Sequence, residues 1–296
     1  MIFGILGNIV KPVTREVTAR LLAYFQAHSY PYLVHEELGA WYNASSPPAP
    51  IDQKLRRGST ALPKECNVLI ALGGDGTMLA AARMVGALGT PLLGINLGKL
   101  GFLAEVSIDE IEPVLDEIAR GDYLVEDRMV LTVRRDHDAE TICALNEVVV
   151  DKGQSARVIE LETFVNGEYL VTYSADGLIV TTPTGSTAYS LASGGPIVAP
   201  ASKVVAINPV APHTLTARPV VVPDDSVIRL VVAAEGRPVH LTADGQIERT
   251  VDTPAEFEIR KAGYTVKLVK RKQRTYFDLL RTKLLWGRDL RVRTHS

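Results

Sequence analysis

A short, nearly all-apolar run, Cys66 to Leu72, stops at Gly73-Gly74-Asp75-Gly76 and passes into an Ala-, Leu- and Met-rich stretch from Thr77 to Leu88. A run of this kind suits a strand covered on both faces, as in a parallel sheet. The stretch after the turn predicts a helix, and Pro91 to Ile95 predicts the next buried strand, so the segment reads as a βαβ unit. The same alternation begins earlier. Ile2 to Leu6 predicts a strand, Val17, Leu21, Leu22 and Phe25 fall at helical spacing, and Tyr32 to Val34 predicts a second strand. Residues 43 to 63, rich in Pro, Ser and Ala with a basic Lys54-Leu55-Arg56-Arg57, read as a mobile surface loop. Ser107 with Glu110 forms a capping-box pattern opening a helix that runs to Arg120, with Gly121 as its stop.

Beyond that point the pattern changes to short β-rich runs separated by turns, which predicts an all-β second domain. Asn166-Gly167, set between Thr163-Phe164-Val165 and Glu168-Tyr169-Leu170-Val171, is a strong hairpin signal. Further strands fit Leu178 to Thr182, Val204 to Ile207, Val227 to Ala233, Val239 to Thr242 and Thr265 to Val269. Near the end, Phe277, Leu280, Leu284 and Leu285 predict a short amphipathic helix that must dock on another element. The organisation is therefore an α/β domain over 1–122, a β-rich domain over 123–268, and a tail over 269–296.

A buried strand feeding a glycine-rich turn and then a helix puts that turn at the carboxyl end of the sheet, where open α/β proteins bind ligands. Glycines let backbone N–H groups approach a phosphate, aided by the helix N-terminus, which assigns Gly73, Gly74, Gly76 and Thr77 to phosphate binding. An aspartate there would repel a phosphate. Asp75 is better explained as a base facing a hydroxyl, or as a magnesium ligand through water, than as a simple helix cap. Other phosphate motifs fail on spacing: Leu79 stands where a dinucleotide fingerprint needs glycine, while Leu93 and Leu100 spoil a P-loop ending at Gly98-Lys99. The pattern points to phosphoryl transfer centred on Asp75.

Composition narrows the partners. Acids and bases nearly cancel, leaving a formal charge of −2, so no global field favours nucleic acid or an anionic membrane, and an anionic ligand must be held locally. The two cysteines, Cys66 and Cys143, lack metal-ligand spacing and suggest no disulfide framework. The apolar start reads as a strand rather than a signal peptide, and no run approaches a membrane span, so a cytoplasmic location is expected.

The β-rich half holds a second polar constellation: Asn146-Glu147, then Ser174-Ala175-Asp176-Gly177, then the hydroxyl-dense Thr181 to Ser190. That last segment offers many donors and acceptors to a sugar and base, with Tyr189 as a stacking face. Neighbours on a regular strand point to opposite faces, so Asn146 and Glu147 serve one ligand only at a bulge or strand end. An irregular strand is expected there. His213, between Pro212 and Thr214, reads as a structural turn residue.

Taken together, these stretches resemble the NAD kinase family over nearly the whole chain. They are Gly73-Gly74-Asp75-Gly76-Thr77, the run from Gly94 to Leu103, Asn146-Glu147-Val148-Val149, Asp176-Gly177-Leu178-Ile179, Thr182 to Ser190, Gly194-Gly195-Pro196 and Pro212-His213-Thr214-Leu215. The glycine-rich turn alone is shared with diacylglycerol, sphingosine and phosphofructokinase families; the hydroxyl-rich segment is far more specific. The resemblance implies a Rossmann-like, mostly parallel α/β domain, a β-sandwich-like second domain, and a C-terminal helix packing back on the first. It implies ATP-dependent phosphorylation of the 2′-hydroxyl on the adenosine ribose of NAD, with a divalent metal such as Mg2+ and with Asp75 as proton acceptor. It also implies that Asp75, Gly76, Asn146, Glu147, Arg157, Asp176, Thr187, Ala188, Tyr189, Ser190, Leu191, Ala192 and Gln246 contact NAD, and that the protein is a homodimer or homotetramer. Many bacterial members carry a basic residue two before the aspartate, where this chain has Ser174; that position bears on the choice between NAD and NADH. The alternatives are a lipid or sugar kinase using the same turn, and a dinucleotide sensor that transfers nothing.

Overall fold

The computed structural model describes residues 1–98, 101–136, 140–233, 236–272 and 275–286. Its chain divides into two compact units: Met1–Glu126 with the described residues from Lys267 onward, and Asp127–Val266.

The first unit contains β1 (Phe3–Gly7), α1 (Val13–Ala27), β2 (Tyr32–His35), α2 (Glu36–Asn43), β3 (Arg56–Arg57), α3 (Leu62–Glu65), β4 (Val68–Gly73), α4 (Asp75–Val85), β5 (Leu92–Asn96), β6 (Val106–Ser107) and α5 (Ile111–Ala119). The strands run parallel in the order β5-β4-β1-β2-β3. The chain lays β2 and β3 to one side of β1 and β4 and β5 to the other, so its winding reverses between β1 and β4. Loops part toward opposite faces at such a reversal and leave a crevice at the carboxyl ends of the strands. β4 is buried along its whole length, which is why its sequence carries no alternation. Phe3, Ile5, Ile70 and Leu72 of the sheet pack with Val17, Leu21 and Phe25 of α1 and with Ile111, Leu115 and Ile118 of α5. The Phe3 and Phe25 rings stack at 5.1 Å.

Two expectations for this unit need correction. Residues 43 to 63 are a surface loop only in part: 44 to 50 are largely exposed without helix or strand, whereas later residues form β3 and enter α3. Asn43 donates to the Ile51 carbonyl at 3.0 Å and accepts from its N–H at 2.9 Å, as a strand neighbour would, and so pins the turn back. Ile51 and Leu62 are buried, and Arg56 and Arg57 extend the sheet beside Val34 and His35. The capping box at Ser107 and Glu110 is present, but it opens a 3-10 turn over Ile108–Glu110 that leads into α5; Gly121, at φ +77°, ends that helix.

The second unit is a sandwich of β7 (Leu124–Arg135), which starts just before it, β8 (Ile142–Ala144), β9 (Glu147–Asp151), β10 (Ile159–Val165), β11 (Glu168–Ala175), β12 (Gly177–Thr181), the short helix α6 (Tyr189–Ala192), β13 (Val204–Val210), β14 (Val220–Pro223), β15 (Ile228–Ala233), β16 (Val239–Ala243), β17 (Ile247–Val251) and β18 (Ala255–Lys270). One layer has the order β11-β10-β15-β18, with β7 paired to β18 and β8; the other has the order β14-β13-β12-β9-β16-β17. Side chains alternate as the pleat requires: Ile228, Leu230 and Val232 of β15 face Val148, Val150, Leu178 and Val180 of the opposite layer in one core. Asn166 and Gly167 join β10 to β11 with φ of +54° and +84°, the left-handed pair that a two-residue hairpin turn demands. α6 and the 3-10 turn Gly185–Thr187 interrupt an otherwise β unit. β18 is longer than Thr265 to Val269: Ala255, Phe257 and Ile259 point inward and alternate with Glu256, Glu258 and Arg260 on the outer face, so the strand begins at Ala255.

The last residues of β18 belong to the first unit, where Leu268 pairs in parallel with Leu92. α7 (Tyr276–Leu284) follows. Its buried residues are Leu279 and Leu280, whereas Phe277 is 61% exposed, so the docked face is narrower than the spacing predicts. Lys283 lies 5.4 Å over the Phe102 ring. No helix among the described residues is long and apolar enough to cross a membrane.

Candidate active site

Gly73 is the last residue of β4, Gly74 is the N-cap of α4, and Asp75, Gly76 and Thr77 form its first turn. Thr77 folds back on the strand end: a Cβ on Gly73 would lie 1.9 Å from Thr77 Oγ1, so glycine is required at that contact. Around Gly74 there is open space, leaving its backbone approachable.

The Asp75 carboxylate is held by the segment that follows β5. Phe102 N–H donates to Oδ2 at 2.8 Å, while Leu103 and Ala104 N–H donate to Oδ1 at 3.0 and 3.1 Å. A carboxylate offers about four acceptor positions. These bonds fill both positions of Oδ1 and one of Oδ2, which leaves one Oδ2 lone pair for a hydroxyl. A side chain on Gly101 could not be accommodated beside this carboxylate, since its Cβ would sit 1.9 Å from Oδ1. Lys99 and Leu100, part of the family-like run, lie outside the described residues.

In the second unit, Asn146 and Glu147 sit where β8 gives way to β9, both buried. This is the strand end at which two neighbours can serve one ligand. Asp244, not foreseen from the sequence, organises it: its Oδ2 accepts from Leu145 N–H at 2.9 Å, and its Oδ1 accepts from Asn146 and Glu147 N–H at 2.7 and 3.3 Å. Asp244 has a φ of +55° in the turn Asp244-Gly245-Gln246 between β16 and β17. The Asp244-Gly245 pair was the available signal, since Asp-Gly between apolar runs marks a hairpin turn. Gln246 is exposed in the same turn.

The hydroxyl-rich segment wraps the same strand end. Thr182 N–H donates to the Asn146 carbonyl at 2.8 Å, Thr182 Oγ1 donates to the Leu145 carbonyl at 2.7 Å, and a Cβ on Gly185 would strike the Asn146 carbonyl oxygen at 2.3 Å. The Tyr189 backbone N–H faces the Glu147 carboxyl and favours its charged form. Ser190 is fully buried, with its carbonyl held by Asn208 at 3.0 Å; Thr187, Ala188 and Leu191 are partly buried, and Tyr189 and Ala192 are exposed. Asn146, Glu147, Thr187 to Ala192 and Gln246 thus converge around one strand end. Burial, then the charge of Asp244, push the Glu147 carboxyl up to about 8, against the smaller opposing effect of the Tyr189 N–H. Its Oε2 is buried without a hydrogen-bond partner.

Asp176 and Arg157 are placed elsewhere. Gly177 pairs with Asp151 and Thr181 with Glu147, so Asp176 lies beyond the opposite end of β9, roughly 13 Å or more along the strand from Glu147. Asp176 pairs with Lys152 at 2.7 Å, and Arg157 is exposed on the loop before β10. His213 is exposed, and its N–H donates to the Ser174 carbonyl at 2.9 Å.

Among the described residues, no three His, Cys, Asp or Glu side chains converge as a ready-made metal cage. Mg2+ is commonly held by one or two carboxylates together with substrate phosphates, and Asp75 beside an approachable glycine turn suits that mode.

Residues 3–123 match the ATP-NAD kinase N-terminal domain and residues 145–271 match the ATP-NAD kinase C-terminal domain. The chain is 40% identical over 287 residues to an NAD kinase of Geobacter sulfurreducens, covering 96% of this chain and 98% of the relative. It is 43% identical over 298 residues to an NAD kinase of Bacteroides fragilis, covering 99% of this chain and all of the relative. Its fold is similar to a yeast NADH kinase solved with NADH, at a TM-score of 0.89 and 25% identity over 99% of this chain and 89% of that one. An Archaeoglobus fulgidus NAD kinase solved with ATP shares the fold at a TM-score of 0.74 and 23% identity, covering 96% of this chain and 99% of that one. With both halves matched in order and relatives aligned from end to end, the chain belongs to the NAD kinase family.

Proposed function

We infer that this chain phosphorylates NAD from ATP to give NADP, and that Asp75 accepts the proton of the 2′-hydroxyl on the adenosine ribose. The observation that carries the role of Asp75 is its clamp. Three backbone N–H groups fix the carboxylate at the start of α4 and leave one Oδ2 lone pair open. A carboxylate is a weak base toward an alcohol, so proton transfer accompanies a late stage of loose phosphoryl transfer, and positioning supplies most of the acceleration. Gly73, Gly74, Gly76 and Thr77 line the donor phosphates at the N-terminus of α4, with the open space at Gly74 as the point of closest approach. Mg2+ would be held by those phosphates, reaching Asp75 through water, and would supply charge neutralisation there.

Asn146, Glu147, Thr187, Ala188, Tyr189, Ser190, Leu191, Ala192 and Gln246 hold the dinucleotide in this reading. The buried, partnerless Oε2 of Glu147 supports it, because an orphaned polar atom is costly until a ligand hydroxyl satisfies it. Asp176 and Arg157 complete the set at a distance from Glu147 that suits the far end of an extended dinucleotide. The reaction is placed in the cytoplasm, and the assembly is a homodimer or homotetramer, which sedimentation would read.

The test is NADP formation from Mg-ATP with NAD and, separately, with NADH. Asp75→Asn retains NAD binding by calorimetry while kcat falls about 100-fold or more. Unchanged turnover in that variant removes the assigned role, and phosphorylation of diacylglycerol or fructose 6-phosphate in place of NAD overturns the substrate.

A further inference from the structure

We propose that Lys11 binds the phosphate chain of the donor nucleotide, an inference that rests on the phosphotransferase reading above. Lys11 stands in the turn between β1 and α1, on the β1 side of the point where the winding of the sheet reverses. Both ends of its neighbourhood are tied to the glycine-rich turn. Asn8 N–H donates to the Leu72 carbonyl at 2.9 Å, one residue before Gly73. Lys11 Nζ lies 3.6 Å from where a Cβ on Gly98 would be, and Leu97, next in the chain, donates its N–H to the Gly73 carbonyl at 2.8 Å. The ammonium therefore bridges from the end of β1 to the end of β5, across the carboxyl end of β4 that lies between them.

A lysine on a structural assignment would be expected to have an acidic partner. Among the described residues the Lys11 side chain has no hydrogen bond or ion pair, its backbone N–H donating to the Asn8 carbonyl at 3.3 Å, although the unit pairs Lys270, Arg271, Lys272 and Arg20 with carboxylates. Arg15, four residues on, adds a second cation: its guanidinium lies 4.3 Å over Trp41, with Nε buried and lacking a hydrogen-bond partner. A lone ammonium across a glycine turn with open space at Gly74 matches a polyanion rather than a sugar or a base, since Lys serves phosphate as a point charge.

The experiment measures binding of trinitrophenyl-ATP and its displacement by inorganic tripolyphosphate, neither of which needs turnover. Lys11→Ala weakens both by ~10- to 100-fold, the loss expected for a charge-assisted bond to phosphate, and Lys11→Arg restores part of it. NAD affinity, measured by calorimetry, stays at the parent value. Unchanged binding of the analogue, weakening of the analogue without the tripolyphosphate, or a parallel loss of NAD affinity each overturns the proposal. Failure of the unmodified protein to make NADP would sink the functional reading while leaving the Lys11 measurement interpretable.

Discussion

Glu147 shows how a single buried carboxyl can link stability to pH. Its folded-state value, about 8, lies above the 4.5 of an ordinary glutamate, because burial and the nearby Asp244 disfavour the charge. The unfolded chain releases that proton near 4.5 and the folded chain holds it until about 8, so the stabilising difference is fully present below 4.5 and is lost as pH rises to 8. The thermal midpoint of the ligand-free protein should fall between pH 5 and 8. Glu147→Gln, which keeps the shape and removes the titration, should flatten that slope and be the more stable protein at pH 8, by on the order of 4 kcal/mol at most. Parallel pH profiles for the two proteins would remove Glu147 as the source.

At the scale of elements, the β10–β11 hairpin joins a local signal to a distant contact. Asn166 takes φ +54° and Gly167 φ +84°, and Asn166 also clamps the residue before β15: Val227 N–H donates to its Oδ1 at 2.8 Å, and its own N–H donates to the Val227 carbonyl at 2.8 Å. Asn166→Ala loses a hydrogen bond and tolerance of the left-handed region, so urea denaturation should show a cost of about 1–2 kcal/mol. A cost below a few tenths would mean that the turn does not set the register. The dipeptide was legible because Asn-Gly between apolar runs has one common structural use. The clamp to Val227 was not, because sequence separation hides which strand becomes the neighbour.

For the molecule as a whole, the chain's return to its first unit is secured by a row of cations after the last strand pairing. Arg271 makes a two-pronged contact with Glu117, at 3.0 and 2.8 Å, and reaches Glu110 at 2.9 Å; Lys270 pairs with Glu105 and Lys272 with Asp122. Glu110 is also the capping-box residue ahead of α5, so one side chain joins the helix entry to the returning segment. Arg271→Ala should cost about 1–3 kcal/mol and speed hydrogen exchange in α5 more than in the sandwich, since the guanidinium contact is bidentate and partly buried. Equal acceleration in both units would show instead that they unfold together. The sequence predicts a tail after the second domain. It does not reveal these partners, because paired surface-type charges carry no periodicity.

The alternation of strands and helices in the first half, the glycine-rich turn with Asp75, the hairpin at Asn166-Gly167 and the polar pair at a strand end are legible in the chain, because each is encoded by residues that are neighbours along it. Long-range packing settles that Phe102, Leu103 and Ala104 clamp Asp75, that Asp244 holds Asn146 and Glu147, that 43–63 is anchored through Asn43 and Ile51, and that Lys11 reaches across to Gly98. Those contacts join residues far apart in sequence through backbone N–H groups or lone side chains. Backbone groups are the same at every position, so their partners are set by where packing brings two segments together, not by which residues the segments contain.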